Sequence, residues 1–344
     1  MTFDGPRSAK VEELGEIISL ANEIFRPDGG DLGVDHACLL NPENAENIGI
    51  IRHAKRPVSA LAMLLRDVAV RDCHLKAALL GVVCTHPDYR GKGLAGRLCD
   101  WAWNRARECG ADYTLVSGDR PLYRRRGCRP VGQRFDYRIP AAGTCPDGLT
   151  CRELSQDDID AVSDLYEARP VRYLRPRSDY EIFFRHGWAS NIPATMFGLE
   201  RAGKLTAYLL ISRGEQTEAR PVLEYAGSNE DVLTGLPVAL TRLKAKAGAL
   251  QVPWFETRML KLMEDRGLSG TVNPLGGTVS ILNLPPLIAR TKSYWVQKAG
   301  SDILGKFTVE PGEDSLLIFG APPPSPITHH PSPLPHPGYG LNHA

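Results

Sequence analysis

The stretch from Leu75 to Val116 sets the tightest limit on the fold. Leu75 to Cys84 is apolar almost throughout, as expected of a strand covered on both faces. The polar turn Thr85-His86-Pro87-Asp88-Tyr89-Arg90-Gly91-Lys92-Gly93 breaks it at once. Leu94 then opens a helix whose apolar face runs through Ala95, Leu98, Ala102, Ala106 and Cys109, and Gly110 stands where a helix closes in left-handed backbone. Tyr113 to Val116 returns as a short buried strand. Strand, glycine loop, helix, strand is a βαβ-type unit, here ending near Val131, and it sets the fold class as α/β with a mixed sheet.

The flanking chain fits that unit. Val11, Leu14, Ile17, Ile18, Ala21, Ile24 and Phe25 recur at helical spacing until Pro27 and Gly29-Gly30 stop them. An irregular loop, Asp31 to Asn47, leads into a hairpin of Ile48 to His53 and Val58 to Leu65. After the linker Pro140 to Gly148 the same order of elements returns. A hairpin (Met196 to Glu200, Leu205 to Ser212) precedes strand Val222 to Ala226, helix Val232 to Lys246, strand Leu250 to Phe255 and helix Thr257 to Arg266. The expected organisation is 1–140, a degenerate repeat at 149–268, and a segment at 269–344 with strands at Thr278 to Leu284 and Ser315 to Phe319. Ala321 to Ala344 holds eight prolines and four histidines, a composition that predicts an extended tail.

The loop Arg90-Gly91-Lys92-Gly93-Leu94-Ala95-Gly96 follows a buried strand and opens a helix, so unpaired backbone N–H groups point out of its mouth. Glycines at 91 and 93 let the backbone approach an anion closely, and Arg90 and Lys92 add positive charge. A pyrophosphate suits such a site. The plainer alternative is a tight strand-to-helix turn with solvated basic residues. A Walker-type loop is excluded by the missing Gly-Lys-Ser/Thr, and a dinucleotide site by the strand content upstream.

Arg-x-x-Gly-x-Ala, preceded by Val82-Val83-Cys84 and followed some thirty residues on by Tyr123-Arg124-Arg125-Arg126-Gly127-Cys128, resembles the acetyl-CoA binding motif of the GNAT superfamily of N-acetyltransferases. The likeness covers about Ser8 to Gly132. It implies that the strand with Val83, Cys84 and Thr85 splays from Tyr113 to Val116, that the pantetheine arm pairs with the exposed strand amides, and that an amide near Val83 faces the acetyl oxygen. It also implies that Gly91 to Gly96 hold the pyrophosphate, that Ser117 touches the arm, and that Tyr123 protonates the leaving thiolate. Cys84 would lie near the thioester, although the chemistry implied is direct transfer to an amine. A silent repeat after the catalytic unit resembles the tandem acetyltransferases typified by the enhanced intracellular survival family. That likeness implies an abbreviated sterol-carrier-like segment at the C-terminus and a terminal carboxylate, here Ala344, as a candidate base. A small-molecule amine or a protein amine is the expected acceptor, and assembly into a homo-oligomer is left open. The rival from another class is a non-catalytic acyl-CoA sensor or scaffold.

Composition narrows the partners. Lys plus Arg total 41 against 40 Asp plus Glu, so no general field draws nucleic acid or anionic lipid. The arginines at 120, 124, 125, 126, 129, 134 and 138 crowd one region and read mainly as a solvated face with some reach to adenosine phosphates. No apolar run approaches a membrane span, the N-terminus has no apolar h-region, and a soluble cytoplasmic protein is the default. The eight cysteines form no Cys-x-x-Cys pair and read as reduced. No metal is expected: prolines separate the tail histidines His329, His330, His336 and His343. At the second repeat's equivalent loop, Gly227-Ser228-Asn229-Glu230-Asp231, two acids would repel a pyrophosphate. Asp31, Asp35 and Glu43 are candidates for attracting a cationic amine.

Overall fold

The computed structural model describes residues 2–214, 218–299 and 318–319, most of them in or against two mixed sheets. The first part of the chain gives β1 (Asp4–Ser8), α1 (Leu14–Phe25), α2 (Leu32–Asp35), β2 (Ile48–His53), β3 (Arg56–Val70), β4 (Cys73–Thr85), α3 (Leu94–Glu108), β5 (Tyr113–Val116) and α4 (Pro121–Arg124). The middle gives β6 (Gln133–Pro140), β7 (Leu149–Glu153), α5 (Ile159–Glu167), β8 (Val171–Tyr173), α6 (Arg177–His186), β9 (Trp188–Ala189), β10 (Ile192–Arg201), β11 (Lys204–Ser212) and β12 (Arg220–Gly227). Then follow α7 (Asn229–Arg242), β13 (Ala247–Pro253), α8 (Thr257–Asp265), β14 (Thr271–Pro274), β15 (Thr278–Ile281), α9 (Leu284–Arg290) and α10 (Lys292–Ala299).

The first sheet runs β1-β2-β3-β4-β5-β15, with β4 and β5 parallel and the other neighbours antiparallel. It is covered on both faces. Ala60, Ala62 and Leu64 of β3 enter the core under α1, whereas Leu61 and Met63 enter the core under α3. Residues on both faces of such strands are apolar where they are covered, which is why Ala60 to Leu65 of β3 and Ala77 to Cys84 of β4 read as unbroken runs. The second sheet runs β14-β6-β13-β12-β11-β10-β7, and its β12 and β13 repeat the parallel pairing of β4 and β5.

Sheet membership departs from the expected boundaries at 140, 149 and 268. β6 lies between β13 and β14 in the second sheet, because Phe135, Tyr137 and Ile139 pack in that core. β8 pairs with β3, and β15 pairs with β5, both in the first sheet. The segment from 269, expected as an abbreviated separate unit, therefore gives one strand to each sheet and packs Leu287, Tyr294 and Trp295 under the first. The loop Asp31 to Asn47 is more ordered than its sequence suggests. Asp31 accepts from the Gly33 amide at 2.9 Å to start α2, and Asn41 accepts from the Asn44 amide at 3.0 Å to start a 3₁₀ turn. Ile318 and Phe319 are helical where a strand is expected, and Phe319 stacks 5.2 Å from the Tyr113 ring. Residues 315–317, the four tail histidines and Ala344 lie outside the described residues.

A buried ion pair ties the two sheets together. Arg175 leaves β8, which belongs to the first sheet, and its Nη1 donates at 2.9 Å to Glu224 on β12 of the second. Their side chains are 1% and 3% exposed, so loss of either partner would strand a charge out of water. The Tyr208 hydroxyl donates to Glu224 at 2.7 Å, and the guanidinium stacks 3.7 Å over the Tyr166 ring. Burial pushes Glu224 up, but the charge and hydrogen bonds of Arg175 outweigh it and hold the carboxyl at about 2. Glu224→Ala should cost about 3–5 kcal/mol in urea unfolding. A depressed carboxyl stabilises the fold above its unfolded value of about 4.3 and loses that contribution as pH falls towards about 2. The urea midpoint of the wild type should therefore fall between about pH 5 and pH 2 by more than that of Glu224→Gln.

Candidate active site

The parallel pairing of β4 with β5 runs from Ala77–Tyr113 to Leu80–Val116 and stops. β4 continues to Thr85 bonded only to β3, so residues 81–85 offer an unpaired edge on the side where β5 has ended. Within that edge the register changes from Ala62–Gly81 to Ala60–Cys84, which places one extra residue in β4. This bulge is centred on Val82, whose φ of +50° is left-handed, rare for a β-branched residue. The bulge turns the backbone at Val82 and Val83 towards the opening. Thr85 is held by Ser59, whose hydroxyl lies 2.8 Å from Thr85 Oγ1 and donates to the Cys84 carbonyl at 2.7 Å.

Cys84 points away from the opening into the core under α1 and is 3% exposed. Burial pushes its thiol up to about 12, which removes the thiolate an acyl acceptor would need.

At the end of β4 the loop turns into α3. Gly91 and Gly93 have φ of +75° and +74°, and a Cβ at either would meet nothing within 4 Å. Left-handed backbone of this kind favours glycine at both positions. Gly93 caps α3 without a side-chain acceptor, and no described residue accepts from the amides of Gly91, Gly93, Ala95 or Gly96. Arg90, Lys92 and both glycines are exposed, while Leu94 is buried and anchors the helix start. Arg126 Nη2 donates to the Gly96 carbonyl at 2.7 Å and to Asp100 at 2.6 Å, fixing the first turn of α3 against the α4 region.

Tyr123 lies in α4, 7% exposed, among Leu94, Leu98, Val116 and Cys128, with Val83 bordering the same cluster. Its ring rests on Gly118, where a Cβ would come within 3.2 Å of it. Burial pushes the phenol up to about 12, so it keeps its proton at neutral pH. The hydroxyl has no hydrogen-bond partner among the described residues. Ser117 is exposed at the end of β5, on the lip opposite the free edge of β4. The candidates thus gather at the C-terminal ends of β4 and β5: Val83 and Thr85 on β4, the loop at 90–96 that follows it, Ser117 after β5, and Tyr123 in the core cluster that Val83 borders.

Other candidates are spent elsewhere. Asp35 is bonded by Arg26 at 2.8 Å, and Asp31 takes up the Gly33 amide and Asn22, leaving Glu43 as the acid of that loop lining an open cavity of about 510 Å³ beside α6. Three of the seven clustered arginines are in ion pairs: Arg124 to Asp119 at 2.5 Å, Arg126 to Asp100, and Arg134 to Asp136 at 2.7 Å. In the second repeat the equivalent helix start is closed by its own side chains. Ser228 Oγ accepts from the Asp231 amide at 3.3 Å, and the Asp231 carboxylate is buried against Arg201 at 2.8 Å and Thr206 at 2.6 Å. Sequence reasoning missed the bulge, Ser59, and the acids Asp100 and Asp119. The bulge has no residue signature, because Val82 is an ordinary strand residue by type.

Residues 6–131 match the model of the acetyltransferase (GNAT) domain. The N-terminal part of the chain is a GNAT domain. No curated protein sequence matches the chain. Among solved structures the fold is similar to a conserved protein of unknown function from Enterococcus faecalis described as a probable N-acyltransferase (15% identity, TM-score 0.65, 84% of this chain and 75% of that one). It is also similar to Eis1 from Mycobacterium abscessus (11% identity, TM-score 0.57, 84% and 76%). A third likeness is N-myristoyltransferase from Saccharomyces cerevisiae with bound myristoyl-CoA (13% identity, TM-score 0.51, 81% and 78%). The structural likeness extends well past residues 6–131. Among the described residues no helix is long and apolar enough to cross a membrane, and no His, Cys, Asp and Glu cluster has metal-site geometry.

Because Cys84 is buried with a raised thiol, iodoacetamide at about pH 8 should leave it unlabelled in the native GNAT domain while half-buried Cys109 reacts, as read by peptide mass spectrometry. Labelling of Cys84 at the rate of Cys109 would contradict that burial.

Proposed function

We propose that this protein is an N-acetyltransferase that moves an acetyl group from acetyl-CoA to an amine in a ternary complex. The observation that carries the reading is the free, bulged edge of β4 ending in an unblocked loop and helix start. In this reading the amides of Gly91 to Gly96, with Arg90 and Lys92 at the mouth, bind the pyrophosphate, where the first N–H groups of a helix favour an anion. Val83, Cys84 and Thr85 offer backbone groups to the pantetheine arm in the manner of strand addition, and Ser117 meets it from the other lip. The amide at the bulge beside Val83 donates to the acetyl oxygen as negative charge builds on it, a role worth on the order of a hundredfold in rate. Tyr123, buried yet with a free hydroxyl, donates to the departing sulfur.

An alkyl ammonium of pKa about 10.4 must lose a proton before it attacks. The amine itself is a small molecule or an exposed protein amine. The N-myristoyltransferase that shares the fold holds an acyl-CoA, which supports a CoA thioester as donor here.

Tyr123→Phe should lower thiol release from acetyl-CoA roughly tenfold or more while calorimetric binding of acetyl-CoA persists. Wild-type protein that binds acetyl-CoA but releases no thiol with polyamines, aminoglycosides, amino acids or lysine peptides would point instead to a non-catalytic acyl-CoA sensor.

A further inference from the structure

The loop that carries Tyr123 is gripped on both sides by a strand from beyond the second repeat. β15 reads Thr278-Val279-Ser280-Ile281 and alternates. Val279 and Ile281 enter the core that holds Tyr113 and Leu115, so Thr278 and Ser280 stand on the opposite face, towards Val116, Tyr123 and Cys128. There they are 1% and 4% exposed. A buried hydroxyl left without a partner costs about 1–3 kcal/mol, so what these two bond to is strongly specified. Thr278 Oγ1 donates to the Gly118 carbonyl at 2.9 Å, and Ser280 Oγ donates to the Arg126 carbonyl at 2.7 Å. Gly118 lies just before α4 and against the Tyr123 ring, and Arg126 lies just after α4. Beyond them the backbones of Arg129 and Val279 exchange two hydrogen bonds, each 2.9 Å.

β15 has enough to dock without those hydroxyls: its pairing with β5, its bridge to Arg129 and its two apolar side chains. What the hydroxyls add is direction, since each fixes one carbonyl flanking the short helix on which Tyr123 sits. We propose that Thr278 and Ser280 are positioning residues that hold the Tyr123 hydroxyl facing the free edge of β4, so the C-terminal segment completes the acyl-transfer site without touching substrate. The inference rests on the role given to Tyr123 above. It also gives the strand exchange a consequence for chemistry: the GNAT domain alone lacks the strand that sets its acid.

The test uses the full chain with Thr278→Val and Ser280→Ala together, and Thr278→Ser with Ser280→Thr as the conservative pair. In the wild-type background the first pair should lower kcat for thiol release about five- to tenfold with KM for acetyl-CoA changed less than about twofold. Amide hydrogen exchange over residues 118–129 should accelerate. In the Tyr123→Phe background the same pair should change kcat less than about twofold, because no hydroxyl remains to be misplaced. The conservative pair should restore most of the lost activity. An equal loss in both backgrounds would mean a general packing role and overturn the inference, as would unchanged exchange over 118–129. Full thiol release by Tyr123→Phe would remove the tyrosine and this inference together while leaving acyl transfer intact. Should no amine give thiol release even in the wild type, the acyl-transfer reading fails by itself. Hydrogen exchange then decides the clamp, acceleration supporting it and no change overturning it.

Discussion

The parting of β4 from β5 beyond Leu80 and Val116 is the constraint on which the rest of the site depends. Two parallel strands that stayed paired would satisfy each other's amides and leave nothing to bind with. Because β5 ends while β4 runs on, one strand keeps a row of donors and acceptors free on one side, and the extra residue at Val82 turns part of that row outwards. A free edge inside a sheet is normally a liability. Here the flanking elements frame it: α3 begins at its end with open amides, α4 carries Tyr123 in the cluster that Val83 borders, and β15 pairs along the far side of β5.

The second repeat combines the same strand separation with a closed helix start. Its β12 and β13 also pair in parallel for a short stretch and then separate. Its helix start, however, carries Ser228 and Asp231, and both are turned inwards to cap the helix and to bond Arg201 and Thr206. A carboxylate at that position offsets the helix dipole that an anion would otherwise meet. The first repeat has Gly93 at the cap and Gly96 where Asp231 stands, neither with a side chain to offer. Two residues thus separate a bare helix start from one that is already satisfied. The second repeat serves the first as support, through the buried Arg175–Glu224 pair and the Arg66–Asp179 pair at 2.6 Å between β3 and α6.

Much of this was legible from local pattern. The apolar run at 75–84, the glycines at 91 and 93 and the helix from Leu94 to Gly110 announce themselves because backbone geometry and burial act within a few residues of one another. The cap residues of the second repeat were readable for the same reason. What could not be read were partners distant in sequence. Phe135, Tyr137 and Ile139 alternate as a strand should, but nothing in that alternation says which of two sheets will receive it. Asp100 and Asp119 look like solvated acids until Arg126 and Arg124 are folded against them. Thr278 and Ser280 look like the wet face of an edge strand, and only the packing of α4 across them buries them.

The sequence by itself determined the class of the fold, the order of its elements, and the glycine loop at 90–96 that opens a helix without a side-chain cap, since each follows from periodicity, turn chemistry and the bare start of a helix. Only the tertiary structure decided where β4 loses its partner, that Val82 adopts a left-handed bulge, that Cys84 turns away from the cleft, and that strands from three parts of the chain complete one sheet. These depend on which surfaces are available to bury and which amides remain to be paired once every element is in place, quantities that no local stretch of residues contains.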